Sequence, residues 1–168
     1  MSDWKRNMTP EEEARVVAAL AEVFNLVRQG DAGSLAALIA RGLSPDLRNE
    51  KGDSLVMLAA YHGQVDTLRT LLDAGASPDM CNAAGQTPIA GAAYKGFKDV
   101  IEVLLAYGAD VEGASPDGRT ALMVAAMFDR TEIVDLLVSS GANLGARDNW
   151  GMTAADAAAF MGGRHRGH

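Results

Sequence analysis

The side chains best equipped for acid–base, nucleophilic or metal chemistry are His62, His165, His168 and Cys81. Their surroundings point away from a reaction centre. His165 and His168 fall in Gly162-Gly163-Arg164-His165-Arg166-Gly167-His168. Two imidazoles on so glycine-rich a backbone lack the rigid placement that catalysis needs. They could hold a metal only adventitiously, because two loose ligands leave a tetrahedral site incomplete. The stretch reads as a solvated basic tail. Cys81 has no CxxC partner and cannot staple the fold; one cysteine fits a reducing compartment. No nucleophile motif is present, and the glycines do not cluster into a phosphate loop. We therefore expect no catalytic residue, no metal and no cofactor.

The glycines do something else. Gly52, Gly85, Gly118 and Gly151 stand 33 residues apart, and their neighbours repeat with them. Gly52-Asp53-Ser54-Leu55-Val56-Met57-Leu58-Ala59-Ala60 aligns with Gly85-Gln86-Thr87-Pro88-Ile89-Ala90-Gly91-Ala92-Ala93. Gly118-Arg119-Thr120-Ala121-Leu122-Met123-Val124-Ala125-Ala126 and Gly151-Met152-Thr153-Ala154-Ala155-Asp156-Ala157-Ala158-Ala159 continue the series. A fixed period of this length indicates a stacked solenoid, in which no unit can bury its apolar face alone.

Composition agrees. The chain has 168 residues, 48% apolar and only 5% aromatic, with abundant alanine and glycine that let helices approach closely. A net charge of −7 opposes nonspecific binding to nucleic acid through repulsion from phosphate. No apolar run approaches a membrane span, and Met1-Ser2-Asp3-Trp4-Lys5-Arg6-Asn7 is followed by no signal-type apolar region. The expected location is the cytoplasm. Alanine richness, and arginine well ahead of lysine, suggest a GC-rich, bacterial source.

Residues 1–8 read as a flexible tail, with Trp4 expected to dock on the first helix. Thr9-Pro10-Glu11-Glu12 is a helix start: Thr9 can cap, Pro10 suits the first position, and Glu12 can close a capping box. Val16, Leu20, Val23, Phe24 and Val27 then share one helical face, and Gly30 ends the helix. A second helix from about Ser34 to Ala40 completes a first unit. Later units begin a short helix at Ser54, Thr87, Thr120 or Thr153, each hydroxyl placed to cap. They turn at Gly63, Gly96 or Asp129, and a longer helix follows. Its expected buried residues are Leu68, Leu71 and Leu72, then Val100, Ile101, Leu104 and Leu105, then Ile133, Val134, Leu137 and Val138. It stops at Gly75, Gly108 or Gly141, where the left-handed conformation favours glycine.

The stretches Thr87-Pro88-Ile89-Ala90 and Thr120-Ala121-Leu122-Met123, with the pairs Gly75-Ala76, Gly108-Ala109 and Gly141-Ala142, resemble the ankyrin repeat family over roughly residues 18–162. The resemblance implies a mainly α fold. It would be a solenoid of helix-turn-helix units joined by β-turn or hairpin loops, about four units plus a truncated C-terminal half unit. The implied domain spans 9–162, divided into a capping unit 9–48, units 49–81, 82–114 and 115–147, and the truncated 148–162. Residues 163–168 would be a flexible basic tail. The family's helix-start histidine is replaced by Met57, Ala90, Met123 and Asp156, so its turn-bracing hydrogen bond is expected to be missing.

The resemblance also implies a binding face. Hairpin tips and first helices line the concave side in that family. Carried over position by position, this gives Tyr61 and His62, Tyr94 and Lys95, Met127 and Phe128, and Phe160 and Met161 at the ends of the first helices. From the hairpins come Arg48, Glu50, Lys51, Asp53, Gln86, Asp117, Arg119, Arg147, Trp150 and Met152. Aromatic, methionine and arginine side chains are the types enriched at interface hot spots. Singly, Tyr61, Tyr94 and Phe160 could equally be half-buried against a neighbouring turn, and Phe128 could fill a gap; the stripe as a whole favours binding. The expected activity is non-catalytic recognition of a protein partner, without nucleic acid or membrane, by a monomer or weak homodimer. Self-assembly through the truncated end, around Ala155, Ala159 and Phe160, is the alternative. A small-ligand binder or enzyme comes last, because no cluster of converging titratable groups is visible.

Overall fold

The computed structural model describes residues 7–166, with side chains as far as Met161. Trp4, most of the expected tail 1–8 and the side chains of His165 and His168 lie outside them. The chain forms α1 (Pro10–Gln29), α2 (Ala32–Ala40), α3 (Leu55–Tyr61), α4 (Val65–Asp73) and α5 (Pro88–Lys95). These are followed by α6 (Lys98–Ala106), α7 (Ala121–Met127), α8 (Thr131–Ser139) and α9 (Ala154–Arg166). The odd-numbered helices pack side by side as one layer, and α2, α4, α6 and α8 pack behind them as a second. The loops between units carry only single β-bridges, Arg48 with Ser54 and Ala114 with Thr120.

Local chemistry sets the start of each odd-numbered helix. Thr9 Oγ1 accepts from Glu12 N at 3.1 Å, and the Glu12 carboxylate accepts from Thr9 N at 2.9 Å, closing the box. Ser54, Thr87, Thr120 and Thr153 accept from the backbone N–H three residues on, at 3.0, 3.3, 3.3 and 3.2 Å. Each bond satisfies a donor that the helix itself leaves orphaned. At the family's histidine position in the last unit, the Asp156 carboxylate accepts from Thr153 N at 3.0 Å. The inner-to-outer turns need a left-handed residue, supplied by Gly63, Gly96 and, with φ 57°, Asp129.

The core lies between the layers. Leu55, Leu68, Leu71, Ile89, Ile101, Leu104 and Leu137 are fully buried. Ala59, Ala60, Ala92, Ala93 and Ala125, also sealed from water, let neighbouring inner helices close in.

The apolar face of α1 is partly open, and two expectations need correction. On α1 only Val23 and Val27 are buried; Val16, Leu20 and Phe24 are half-covered, because the first inner helix has a neighbour on one side only. In the outer layer Leu105 and Val134 are partly covered and Val138 is 37% exposed. The register explains it: Leu72, Leu105 and Val138 are equivalent, and only the first has two further outer helices beyond it. Finally, α9 runs on to Arg166 instead of stopping at 162. A glycine inside a helix costs about 1 kcal/mol and does not by itself end it.

Candidate partner-binding groove

The hairpin tips are shaped by one side chain each. Asn49 Oδ1 accepts from Lys51 N and Asp53 N, both at 3.0 Å. Asn82 Oδ1 does the same for Ala84 N and Gln86 N, and Asp148 Oδ1 for Trp150 N and Met152 N. In the third tip Ser115 takes this place and its hydroxyl donates to Asp117. These residues escaped the sequence reading. The available signal was a short polar residue three positions before each repeat glycine, the type that bonds backbone two residues on.

Neighbouring tips are tied through backbone. Ala83 N donates to Lys51 O at 3.3 Å, and Asn149 N to Asp117 O at 2.9 Å. The Asn82 amide adds a bond to Asp53 Oδ1 at 3.0 Å. At this crowded seam a Cβ on Gly118 would lie 3.0 Å from Asn149 N, so glycine is required for space as well as for its φ of 81°.

Tips and inner helices together line a run of grooves. One of about 250 Å³ collects Lys51, Asp53, Tyr61, His62 and Gln86. Another of about 530 Å³ collects Gln86, Tyr94, Arg119, Met127 and Phe128. Ten of the eighteen carried-over residues, Asp117 among them, thus meet in two adjoining hollows that share Gln86. Within them Tyr94 and Phe128 meet edge to face, 5.0 Å between ring centres, and remain 42% and 40% exposed. Phe128 is therefore neither a sealed gap-filler nor a detached ring. Lys95 Nζ sits 5.0 Å above the Tyr61 ring. Arg119 lies over Trp150 at 5.5 Å, leaving Trp150 66% exposed.

The remaining carried-over residues sit at the edges. Arg48 reaches across to the next unit's hairpin, its Nε 3.0 Å from Met80 Sδ and its Nη1 donating to Cys81 O at 3.3 Å. Arg147 Nη1 donates to Gly151 O at 2.6 Å, bracing the last tip, where Met152 is half-covered. Phe160 on α9 is 59% exposed.

The sequence reading stopped one unit short at the other end. Val17, Leu20, Ala21 and Phe24 of α1 face the first hairpin across a groove of about 460 Å³ completed by Arg28, Arg48, Glu50 and Lys51. Stepping back 33 positions from Tyr61 reaches Arg28, which puts α1 in the same register as the other inner helices.

Charges in the groove are perturbed in readable ways. Partial burial of His62, then the positive charges of Arg28 and Lys95, hold its pKa below the ordinary value. Asp117 is held low chiefly by the Ser115 hydroxyl, against its own partial burial, with further help from the backbone and charge of Arg119. Arg119 Nε is enclosed and 3.6 Å from Asp117 Oδ2, an ion pair too long for a hydrogen bond. Among the described residues no group of three or more His, Cys, Asp or Glu is placed to hold a metal, and no helix is long and apolar enough to cross a membrane.

Comparison with known proteins agrees with this architecture. A family model described as ankyrin repeats, in three copies, matches residues 23–115, and a single-repeat model matches 117–149. A stretch of 57 residues is 52% identical to a protein of Pseudomonas aeruginosa described as an ankyrin repeat protein; it amounts to 34% of this chain and 33% of that one. Repeat glycines, hydroxyl-capped inner helices, paired layers and the family match over more than half its length converge on one assignment: this chain belongs to the ankyrin repeat family.

Proposed function

We propose that the chain is a non-catalytic module that binds another protein along its concave face, in a regulatory or adaptor role in the cytoplasm. The supporting observation is the register Tyr61, Tyr94, Met127 and Phe160, one large side chain per unit at the same helical position, none of them buried. Such a surface is formed before the partner arrives. Little ordering entropy is then lost on docking, and a few aromatic and arginine anchors suffice for useful affinity. Ankyrin repeats are in general protein-interaction modules, which agrees with this reading.

The test is a pull-down of the native partner with a Tyr94→Ala/Phe128→Ala double variant. Both rings are substantially exposed, so the fold should persist while capture is lost. A folded double variant that captures the partner as well as the parent does would count against the groove.

A second reading, self-association, has its own observation. Leu122, Val134, Leu144, Ala154, Ala155 and Ala158 line an apolar hollow of about 330 Å³ at the C-terminal end, with Leu144 57% exposed. Light scattering over a concentration series decides: growth in mass with concentration supports a weak homodimer, and constant monomer mass removes it.

A further inference from the structure

The grooves differ in charge along their length. The chain carries a net −7. Yet Arg28 and Lys51 line both the first groove and the second, so the two form one continuous basic wall. Arg48 joins them on one side and His62 on the other. Lys95 lies within electrostatic reach of His62, as does Arg28. The acids in the same hollows are Glu50 and Asp53, and Asp53 already accepts from the Asn82 amide. Between these cations the floor is apolar, built from Leu20 and Phe24 of α1 with Tyr61 beyond. The C-terminal groove differs: its arginine, Arg119, is already paired with Asp117 and stacked on Trp150.

We propose that the N-terminal half of the face receives an acidic segment of the partner protein that also carries a bulky apolar residue. This rests on the concave-face reading and names the chemistry it selects. The apolar residue seats against Leu20 and Phe24, and flanking carboxylates face Arg28, Lys51 and Lys95. Complementary charge of this kind steers encounter and fixes register, while the apolar contact supplies residence time. An evenly charged polyphosphate is the poorer fit. It would run off the basic wall toward Asp117 and across a surface that is negative as a whole.

The inference can be tested with labelled synthetic amphipathic peptides of identical leucine and phenylalanine spacing, differing only in whether the polar positions are Glu, Gln or Lys. Fluorescence anisotropy should show the Glu peptide binding the parent protein at least about tenfold tighter than the Gln peptide, the effect of a few exposed charge pairs. Added salt should erode that preference. Lys51→Glu/Lys95→Glu, both exposed positions, should abolish it. Equal binding of Glu and Gln peptides overturns the inference. So does tighter binding of the Lys peptide or of an oligothymidine, or no binding of any peptide up to about 1 mM. The native partner separates this inference from the reading beneath it. If Tyr94→Ala/Phe128→Ala loses the partner and Lys51→Glu/Lys95→Glu keeps it, the acidic-segment proposal falls and the groove stands. If both folded variants keep it, the groove itself is wrong.

Discussion

The unit built from α5 and α6 and the one begun by α9 share a sequence plan but not an environment. α5 is gripped between α3 and α7, and α6 between α4 and α8. α9 rests on α7, and no outer helix follows it among the described residues. Leu104 on α6 is sealed, while Val138, Leu144 and Phe160 near the end are open to water. In a stack whose stability is a sum of unit and neighbour terms, the same residue type is worth more in the middle than at the edge.

Paired substitutions can break or sharpen that contrast. The largest difference should come from truncating core side chains. Leu104→Ala leaves a cavity in a fully packed site and should cost about 2–5 kcal/mol, whereas Val138→Ala should stay within about 0.5 kcal/mol. Denaturant midpoints of the two variants measure it, and similar costs would mean the outer face of α8 is covered. A smaller difference is expected at the repeat glycines. Gly118 and Gly151 hold equivalent positions with φ of 81° and 78°. Alanine at either must adopt a left-handed backbone, at about 1–2 kcal/mol. At Gly118 the new methyl also meets the backbone of the next tip, while at Gly151 nothing lies within 4 Å. Gly118→Ala should therefore cost at least about 1 kcal/mol more, as overpacking does. Equal melting shifts would show that the tips are not in firm contact.

Much of this was legible in the sequence because each unit repeats its own local rules. Thr87 and Thr120 announce helix starts through a hydroxyl, and Gly75 and Gly108 announce ends through the one residue that tolerates the turn cheaply. Such signals need no knowledge of neighbours. What was misread or left open depended on neighbours. Leu20 and Phe24 show the same periodicity whether their face is covered by another helix or left as the wall of a groove. Val138 has the pattern of a core residue, yet the helix that would cover it is absent from the described residues. At the binding surface, Tyr94 and Phe128 could be placed side by side from register alone. Their edge-to-face contact, and the stacking of Arg119 on Trp150, depend on side-chain torsions that spacing does not encode.

Pro116 leaves the row of fingertips unevenly tied. Tip one is latched to tip two by Ala83 N, and tip three to tip four by Asn149 N. The residue equivalent to both, 33 positions from each, is Pro116, which has no N–H to offer. The main-chain latch is thus chemically impossible at the central joint, where the basic wall gives way to the aromatic hollow. The joint there is held instead by the packing of α5 on α7 and by the Arg130 guanidinium donating to Tyr94 O at 3.0 Å.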